Sequence, residues 1–173
     1  MASRGASTPG RRALIAASYL ELWALTLAGL LAGRIGVRLS TIRPPRDALT
    51  AQPHTVLLLL AHNAPIALWP LALIALDWPR IPVARHVGDA LIAGQLAGHG
   101  LFVGVAIAQQ PTLWRYLPHL PLEWLALALP AAAWSAARRG TPVRREDAAR
   151  IALVAVAVLA AAALVETYLV PIP

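Results

Sequence analysis

The sequence predicts an all-α membrane protein, a polytopic helix bundle with about five transmembrane helices. Hydrophobic residues make up 58% of the 173 residues and charged residues 13%, and the mean hydropathy is +0.63. A soluble domain is near half apolar and a quarter charged. The apolar residues also fall into five separate stretches, each about as long as the roughly 20 residues that cross a bilayer. We therefore expect a basic tail over residues 1–12 and a single transmembrane domain over residues 13–173.

The five predicted spans are Ala13–Ala32, Thr55–Leu76, Val87–Ala108, Leu117–Ala137 and Ala148–Val170. The first follows a basic segment, as the core of a cleaved signal peptide does. It is longer than a typical signal core and contains Glu21, so we interpret it as a retained span. The alanine-rich fifth span is expected to pack tightly against its neighbours.

Prolines and glycines predict local features of two spans. Pro65 and Pro70 should kink the second helix, because each lacks the N–H group that an internal helical position donates. The third span contains glycine pairs at small-xxx-small spacing, which permits close contact between membrane helices. These pairs are Gly94 with Gly98 and Gly100 with Gly104.

The arginines predict the orientation of the chain. A cytoplasmic N-terminus puts ten of them inside and five outside, which agrees with the positive-inside rule. The inner set is Arg4, Arg11, Arg12, Arg80, Arg85, Arg138, Arg139, Arg144, Arg145 and Arg150, and the outer set is Arg34, Arg38, Arg43, Arg46 and Arg115. We expect a multi-pass protein of the cell membrane whose basic segments meet anionic lipid headgroups rather than nucleic acid. The loop Gly33–His54 is either a solvated basic loop or a further headgroup contact.

Polar residues interrupt the spans at related depths. At about 1.5 Å per residue, alternating helix directions bring His62, Asn63, His99, Glu123 and Glu166 into the same half of the bilayer. His119 precedes Glu123 by four residues, so both lie on one helix face. Ionisable groups are costly in lipid and usually face the protein interior. The candidate catalytic residues are His119, Glu123, His62, His99 and Glu166, and the candidate substrate-binding residues are Asn63 and Gln95.

Two interpretations of these polar residues stay open. They can hold the helices together through interhelical hydrogen bonds, or they can supply acid–base groups for a reaction. We predict no cofactor and no metal, because a site built on His119 and Glu123 would need ligands from other helices. Asp89 follows Gly88 at an expected helix start, which favours N-terminal capping. Isolated Glu21 is expected to serve packing or to contact a partner chain.

Missing residue types exclude several kinds of chemistry. The chain has no cysteine and no lysine, so disulfides, thiol catalysis and Schiff-base catalysis are excluded. No glycine-rich loop precedes a lysine, which excludes ATP hydrolysis by this chain. The HExxH and GxSxG patterns are also absent from the sequence.

Four short motifs resemble the stage II sporulation protein M family over roughly residues 55–173. Leu117-Pro118-His119 with Glu123 is similar to its "PHG-x-x-E" signature, and Ala162 to Pro171 is similar to its closing "A-x-x-E-x-x-x-x-P" segment. His62-Asn63 stands where that family usually has Asn-Asn, and Gly88-Asp89 through Gly94 resembles its "N-G-x-x-x-G" stretch. Leu120 and Pro121 depart from the signature, which indicates a divergent, short relative. The resemblance implies a multi-helix membrane protein that works with partners.

Three functions are compatible with these observations. The leading hypothesis is a subunit of a larger membrane complex, whose partner is another membrane protein or further copies of this chain. The second is a cofactor-independent intramembrane acid–base enzyme acting on a hydrophobic peptide, for example a peptide epimerase that works with a second subunit. The third is a permease-like subunit energised by a separate ATPase.

Overall fold

A computed structural model describes residues 10–39 and 52–169, and these residues form an all-helical bundle. No strand occurs within those two ranges. The five long helices are α1 (Arg11–Arg34), α2 (Pro53–Ala75), α3 (Pro82–Gln109), α4 (Leu120–Arg138) and α5 (Arg145–Leu169). Each is long and apolar enough to cross a membrane, which confirms the predicted fold class. Most of the predicted tail (1–9), part of the first loop (40–51) and the last four residues (170–173) lie outside the described residues.

Prolines mark the starts of three helices. Pro53, Pro82 and Pro121 each lie in a first helical turn, where the missing N–H has no helical partner and the fixed φ suits a helix. The third helix consequently begins at Pro82, five residues before the predicted span. The fourth begins three residues after the predicted start, because a short 3₁₀ helix (Pro111–Tyr116) and a turn precede it.

Helix α4 lies at the centre of the bundle. In its most apolar stretch 61% of the residues are buried, against 22–33% in the other four helices. It contacts α1, α2 and α5, whereas α3 packs mainly against α1. Trp124 and Trp134, near its two ends, are both 2% exposed. Polar groups at either end of α4 therefore lie among other helices rather than in lipid.

Glycines allow the backbones of α1 and α3 to meet. A Cβ added at Gly104 would collide with the carbonyl oxygen of Thr26, and one added at Gly29 would collide with that of Leu101. Gly100 likewise faces Leu22 and Leu25. The predicted close contact through the Gly100–Gly104 pair is confirmed. The other pair, Gly94 and Gly98, faces open space within the described residues.

A glutamine attaches α3 to α2 beside a proline. Helix α2 runs continuously through Pro65 and Pro70, yet Pro70 has no N–H to donate to the carbonyl four residues earlier. That carbonyl belongs to Ile66, and the Gln95 Nε2 group donates to it at 2.7 Å. The Gln95 Oε1 atom accepts from Trp69 Nε1 at 2.6 Å. Gln95 thereby satisfies a backbone group that the proline leaves without its helical partner.

Asp89 connects α3 to α4 instead of capping a helix. Its carboxylate accepts from Trp134 Nε1 at 2.8 Å and pairs with Arg138 at 2.8 Å. The predicted capping role is wrong, because α3 begins at Pro82 with Ile81 as its N-cap. Asp89 lies two turns inside the helix, where only side-chain partners can reach it.

A basic cavity of about 840 Å³ opens at the end of the bundle where α1 begins. Its lining comes from the end of α2, the start of α3, the end of α4 and the start of α5. Arg80, Arg85, Arg138 and Arg145 contribute cations, and Asp77 contributes one carboxylate. Positive charge at a helix-bundle end is the pattern that anionic lipid headgroups favour.

Candidate functional site

Four polar side chains from three helices meet at the opposite end of the bundle. His119 Nε2 lies 3.9 Å from Glu123 Oε2 and 3.9 Å from Glu166 Oε2. Asn63 Nδ2 donates to Glu123 Oε1 at 3.1 Å. We call Asn63, His119, Glu123 and Glu166 the polar cluster. Their convergence agrees with the depths expected from the sequence.

Local backbone geometry aligns the two residues of the cluster nearest the start of α4. His119 is the N-cap of α4 but has helical dihedral angles, φ −80° and ψ −19°. Its carbonyl accepts the N–H of Glu123 at 3.2 Å. The four-residue spacing therefore brings both side chains onto one face, as in a helix interior. The antiparallel course of α4 and α5 puts Glu166, in the last turn of α5, beside them.

The side chains of the polar cluster lie at different points along their helices. Glu123 lies in the first turn of α4 and Glu166 in the last turn of α5, each roughly 5 Å from the helix end. Asn63 lies ten residues into α2, roughly 15 Å along it. Helix α2 therefore extends past the start of α4 and covers the polar cluster from one side.

Burial makes the polar cluster electrostatically sensitive. The side chain of His119 is 8% exposed, that of Glu123 is 21% and that of Glu166 is 25%. Water screens charges weakly at such sites, so the charge on one group acts strongly on the other two. The 3.9 Å separations also exceed the roughly 3.2 Å limit of an N–H···O hydrogen bond. His119 Nε2 is thus close to both carboxylates without a direct hydrogen bond to either of them.

Three buried polar atoms in this region have no hydrogen-bond partner among the described residues. They are His119 Nδ1, Trp124 Nε1 and Thr167 Oγ1. Trp124 follows Glu123 in the chain and Thr167 follows Glu166, and both side chains are buried. Neither was a predicted site residue, because tryptophan and threonine are common in membrane spans. Their only sequence signal is their position directly after the two carboxylates.

The other predicted site residues lie outside the polar cluster. His62 precedes Asn63 but its side chain is exposed, and His99 Nδ1 is 2.9 Å from the backbone oxygen of Gln95, one turn earlier on α3. The expected convergence of His62 and His99 with the two glutamates is therefore wrong. Gln95 joins α2 to α3 as described above. Its substrate-binding role stays a prediction.

The polar cluster has two chemical capacities. An imidazole nitrogen between two carboxylate oxygens can exchange a proton with either of them or with a bound molecule. The same nitrogen and oxygen donors can bind a metal ion. Asn63 orients Glu123 by holding its Oε1 atom, which leaves Oε2 directed at His119.

Glu21 lies apart from the polar cluster, on the face of α1 that points away from the other helices. It is exposed, roughly 15 Å from the start of the helix and roughly 20 Å from its end. Burial by packing, one of its two expected roles, is therefore excluded within the described residues. Contact with a partner chain is the other expected role of Glu21, and it stays a prediction.

No protein-family model, curated protein or solved structure matches this chain.

Proposed function

We propose that this protein is a subunit of a larger membrane complex and binds its partner through the outer face of α1. The observation that carries the proposal is the exposed carboxyl group of Glu21 near the middle of a membrane-spanning helix. A charged side chain at this depth costs about 2.5–3.5 kcal/mol on insertion scales and normally faces protein or water. A partner helix removes Glu21 from lipid and offers it a hydrogen bond.

The surface around Glu21 suits close contact with another helix. Alanines at helical spacing surround the carboxyl group, and all of them are exposed. We call this surface the Glu21 face; it comprises Ala13, Ala17, Glu21, Ala24 and Ala28. Small side chains let two backbones approach in a membrane, where packing and interhelical hydrogen bonds drive association. The opposite face of α1 is already occupied by α3 and α4.

The charge of Glu21 restricts how the partner binds. A symmetric pair of α1 helices would bring two Glu21 carboxyl groups together, which is unfavourable when both are ionised. The partner surface therefore presents a hydrogen-bond donor or a cation at this depth. That group lies either on a second copy of this chain or on a helix of a different membrane protein.

The mass of the extracted particle tests this proposal. We expect the tagged chain, taken from its native membrane in mild detergent, to elute with a protein mass well above the 18.3 kDa of one chain. Light scattering gives that mass, and mass spectrometry separates further copies from a different protein. Glu21→Leu removes the carboxyl group at an exposed position, so the fold of the single chain should not change. This variant should therefore elute as a monomer.

Leu153→Ala on α5 provides the matched control, because Leu153 is 71% exposed and lies outside the Glu21 face. This variant should keep the wild-type mass. A wild-type chain that is monomeric in its native membrane extract would contradict the proposal.

The sequence supports the same proposal. The motifs that resemble the stage II sporulation protein M family imply a membrane protein that works with partners, and they include all four members of the polar cluster. The arginine distribution favours a cytoplasmic N-terminus. In that orientation the basic cavity meets the cytoplasmic leaflet and the polar cluster lies nearer the outer surface.

A second candidate function, a cofactor-independent acid–base enzyme for a hydrophobic peptide, is favoured by one observation. His119 Nε2 lies at equal distance from two carboxylate oxygens, so proton donors and acceptors stand side by side. Removing and returning an α-proton of a bound peptide requires such groups within reach. The permease-like alternative stays a prediction, since no distance among the described residues favours it.

Solvent deuterium tests the enzyme candidate. When the chain is co-expressed with a short hydrophobic peptide in growth medium containing D₂O, we expect deuterium at an α-carbon of that peptide. Glu123→Gln should reduce the incorporation at least 100-fold, within the typical range for loss of a general acid or base. His99→Ala is the control and should leave it unchanged. Equal labelling with and without the chain would dismiss this candidate.

A further inference from the structure

We propose that His119, Glu123 and Glu166 form a binding site for a divalent transition-metal ion such as Zn²⁺. One nitrogen of His119 and one oxygen of each glutamate lie within 4.8 Å of one another. The sequence alone offered only the His119–Glu123 pair. The structure supplies the third ligand from α5.

The distances fit ligands arranged around one ion. Zinc binds histidine nitrogen and carboxylate oxygen at about 2.0–2.2 Å, so two ligands of the same ion are at most about 4.2 Å apart. Both distances from His119 Nε2, at 3.9 Å, fall within that limit. They are too long for direct hydrogen bonds. The two glutamate oxygens lie within 4.8 Å of each other. An ion between the three atoms explains both facts about His119, and it would draw the two carboxylates closer together as they bind.

The charge balance also favours a divalent cation. Two ionised carboxylates and a neutral imidazole carry two negative charges in a poorly solvated site, which is costly unless the charges are paired. A divalent ion neutralises both. No arginine of the described residues makes an ion pair with Glu123 or Glu166, so the protein itself supplies no permanent positive charge at this point.

His119 provides an independent indication of a ligand. The residue is 6% exposed, and its Nδ1 atom has no hydrogen-bond partner among the described residues. Its other nitrogen points between two carboxylates without bonding to either at hydrogen-bond distance. A metal–Nε2 bond would fix the ring and offset the cost of burying it.

Asn63 orients one of the three proposed ligands. A ligating carboxylate usually has its other oxygen held by a hydrogen bond, which orients the ligand. Asn63 Nδ2 donates to Glu123 Oε1 at 3.1 Å, leaving Oε2 for the ion. One nitrogen and two carboxylate oxygens, with no cysteine in the chain, give a three-ligand set that leaves a coordination position for water or a substrate.

Metal analysis of the purified protein tests the site. The chain is extracted with a tag that binds no metal, supplied with ZnCl₂ and washed by gel filtration, and its zinc content is measured by plasma mass spectrometry. We expect about one zinc per chain. Glu166→Gln and His119→Ala should each lower zinc affinity at least tenfold, the range seen even when a supporting residue is lost. His99→Ala, an uninvolved histidine on α3, should bind zinc as the wild type does.

A stability measurement separates loss of the site from loss of the fold. Zinc should raise the unfolding temperature of the wild type and of His99→Ala, because a ligand that binds the native state stabilises it. Glu166→Gln should unfold cooperatively without any shift on adding zinc. Zinc content near zero in a folded wild type, or equal zinc binding by wild type and Glu166→Gln, would overturn the proposal. These readouts are independent of the partner complex and of any peptide reaction.

Discussion

Gly104→Leu is expected to separate α1 from α3 and to destabilise the bundle by roughly 3 kcal/mol or more. Overpacking a filled site usually costs about 1–3 kcal/mol, and more when neighbours cannot move. The atoms that a side chain at Gly104 would meet are backbone atoms of Thr26, Gly29 and Leu30, and a helix backbone cannot rotate out of the way. Titration with SDS, followed by circular dichroism, gives the free energy of unfolding.

Gly94→Leu is the matched control for this substitution. It adds the same side chain to the same helix, but a Cβ at Gly94 has no atom within 4 Å among the described residues. The control should stay within about 0.5–1 kcal/mol of the wild type, a difference that includes the helix propensity gained on replacing glycine. Equal destabilisation by the two variants would mean that α1 and α3 do not meet at Gly104.

Trp134→Ala should have the second large effect, a loss of about 3–5 kcal/mol in the free energy of unfolding. This range is typical when a buried tryptophan is truncated to alanine. Trp134 is 2% exposed, and its ring occupies the space that the missing side chain of Gly88 leaves on α3. Its Nε1 atom also donates to Asp89. The substitution thus leaves a cavity and removes one of the two partners of a carboxylate.

Trp134→Phe separates these two contributions. Phenylalanine keeps most of the buried ring but cannot donate to Asp89, which retains its ion pair with Arg138. The expected loss is therefore only about 1–2 kcal/mol, the value of an interhelical hydrogen bond in model membrane peptides. The same SDS titration measures both variants. A loss as large for phenylalanine as for alanine would assign the stability to the hydrogen bond instead of the packing.

The number of spans and the depth of the polar cluster could be predicted because both follow from length. Apolar stretches of the right length give five helices, and alternating directions place Asn63, Glu123 and Glu166 at the same end. Depth alone does not say which way a side chain points. Adjacent residues on a helix are separated by about 100°, so Asn63 faces α4 while His62 faces outward.

The helix neighbours could not be predicted from the sequence. All five helices are apolar around most of their circumference, so no polar stripe distinguishes an inner face from a lipid face. His99 was expected beside the glutamates, yet α3 packs mainly against α1. The sequence predicts that Asp89 caps α3, because the apolar stretch begins only at Val87, whereas the helix itself begins at Pro82. The Trp134 ring packs against Gly88 and so determines how α4 meets α3 at this point. The sequence does not show that these two residues are neighbours.

The most direct test of the proposed function is a photo-cross-link from the Glu21 face in native membranes, with Glu21 itself kept. Ala17 and Ala24 are exposed and lie about one helical turn before and after Glu21. A photoreactive amino acid replaces Ala17 in one sample, Ala24 in a second and Leu153 in a third, and irradiated membranes are analysed by denaturing electrophoresis. We expect a discrete product heavier than one chain from position 17 or 24 and none from position 153. Membranes in which neither position 17 nor position 24 yields more product than position 153 would contradict a partner on the Glu21 face.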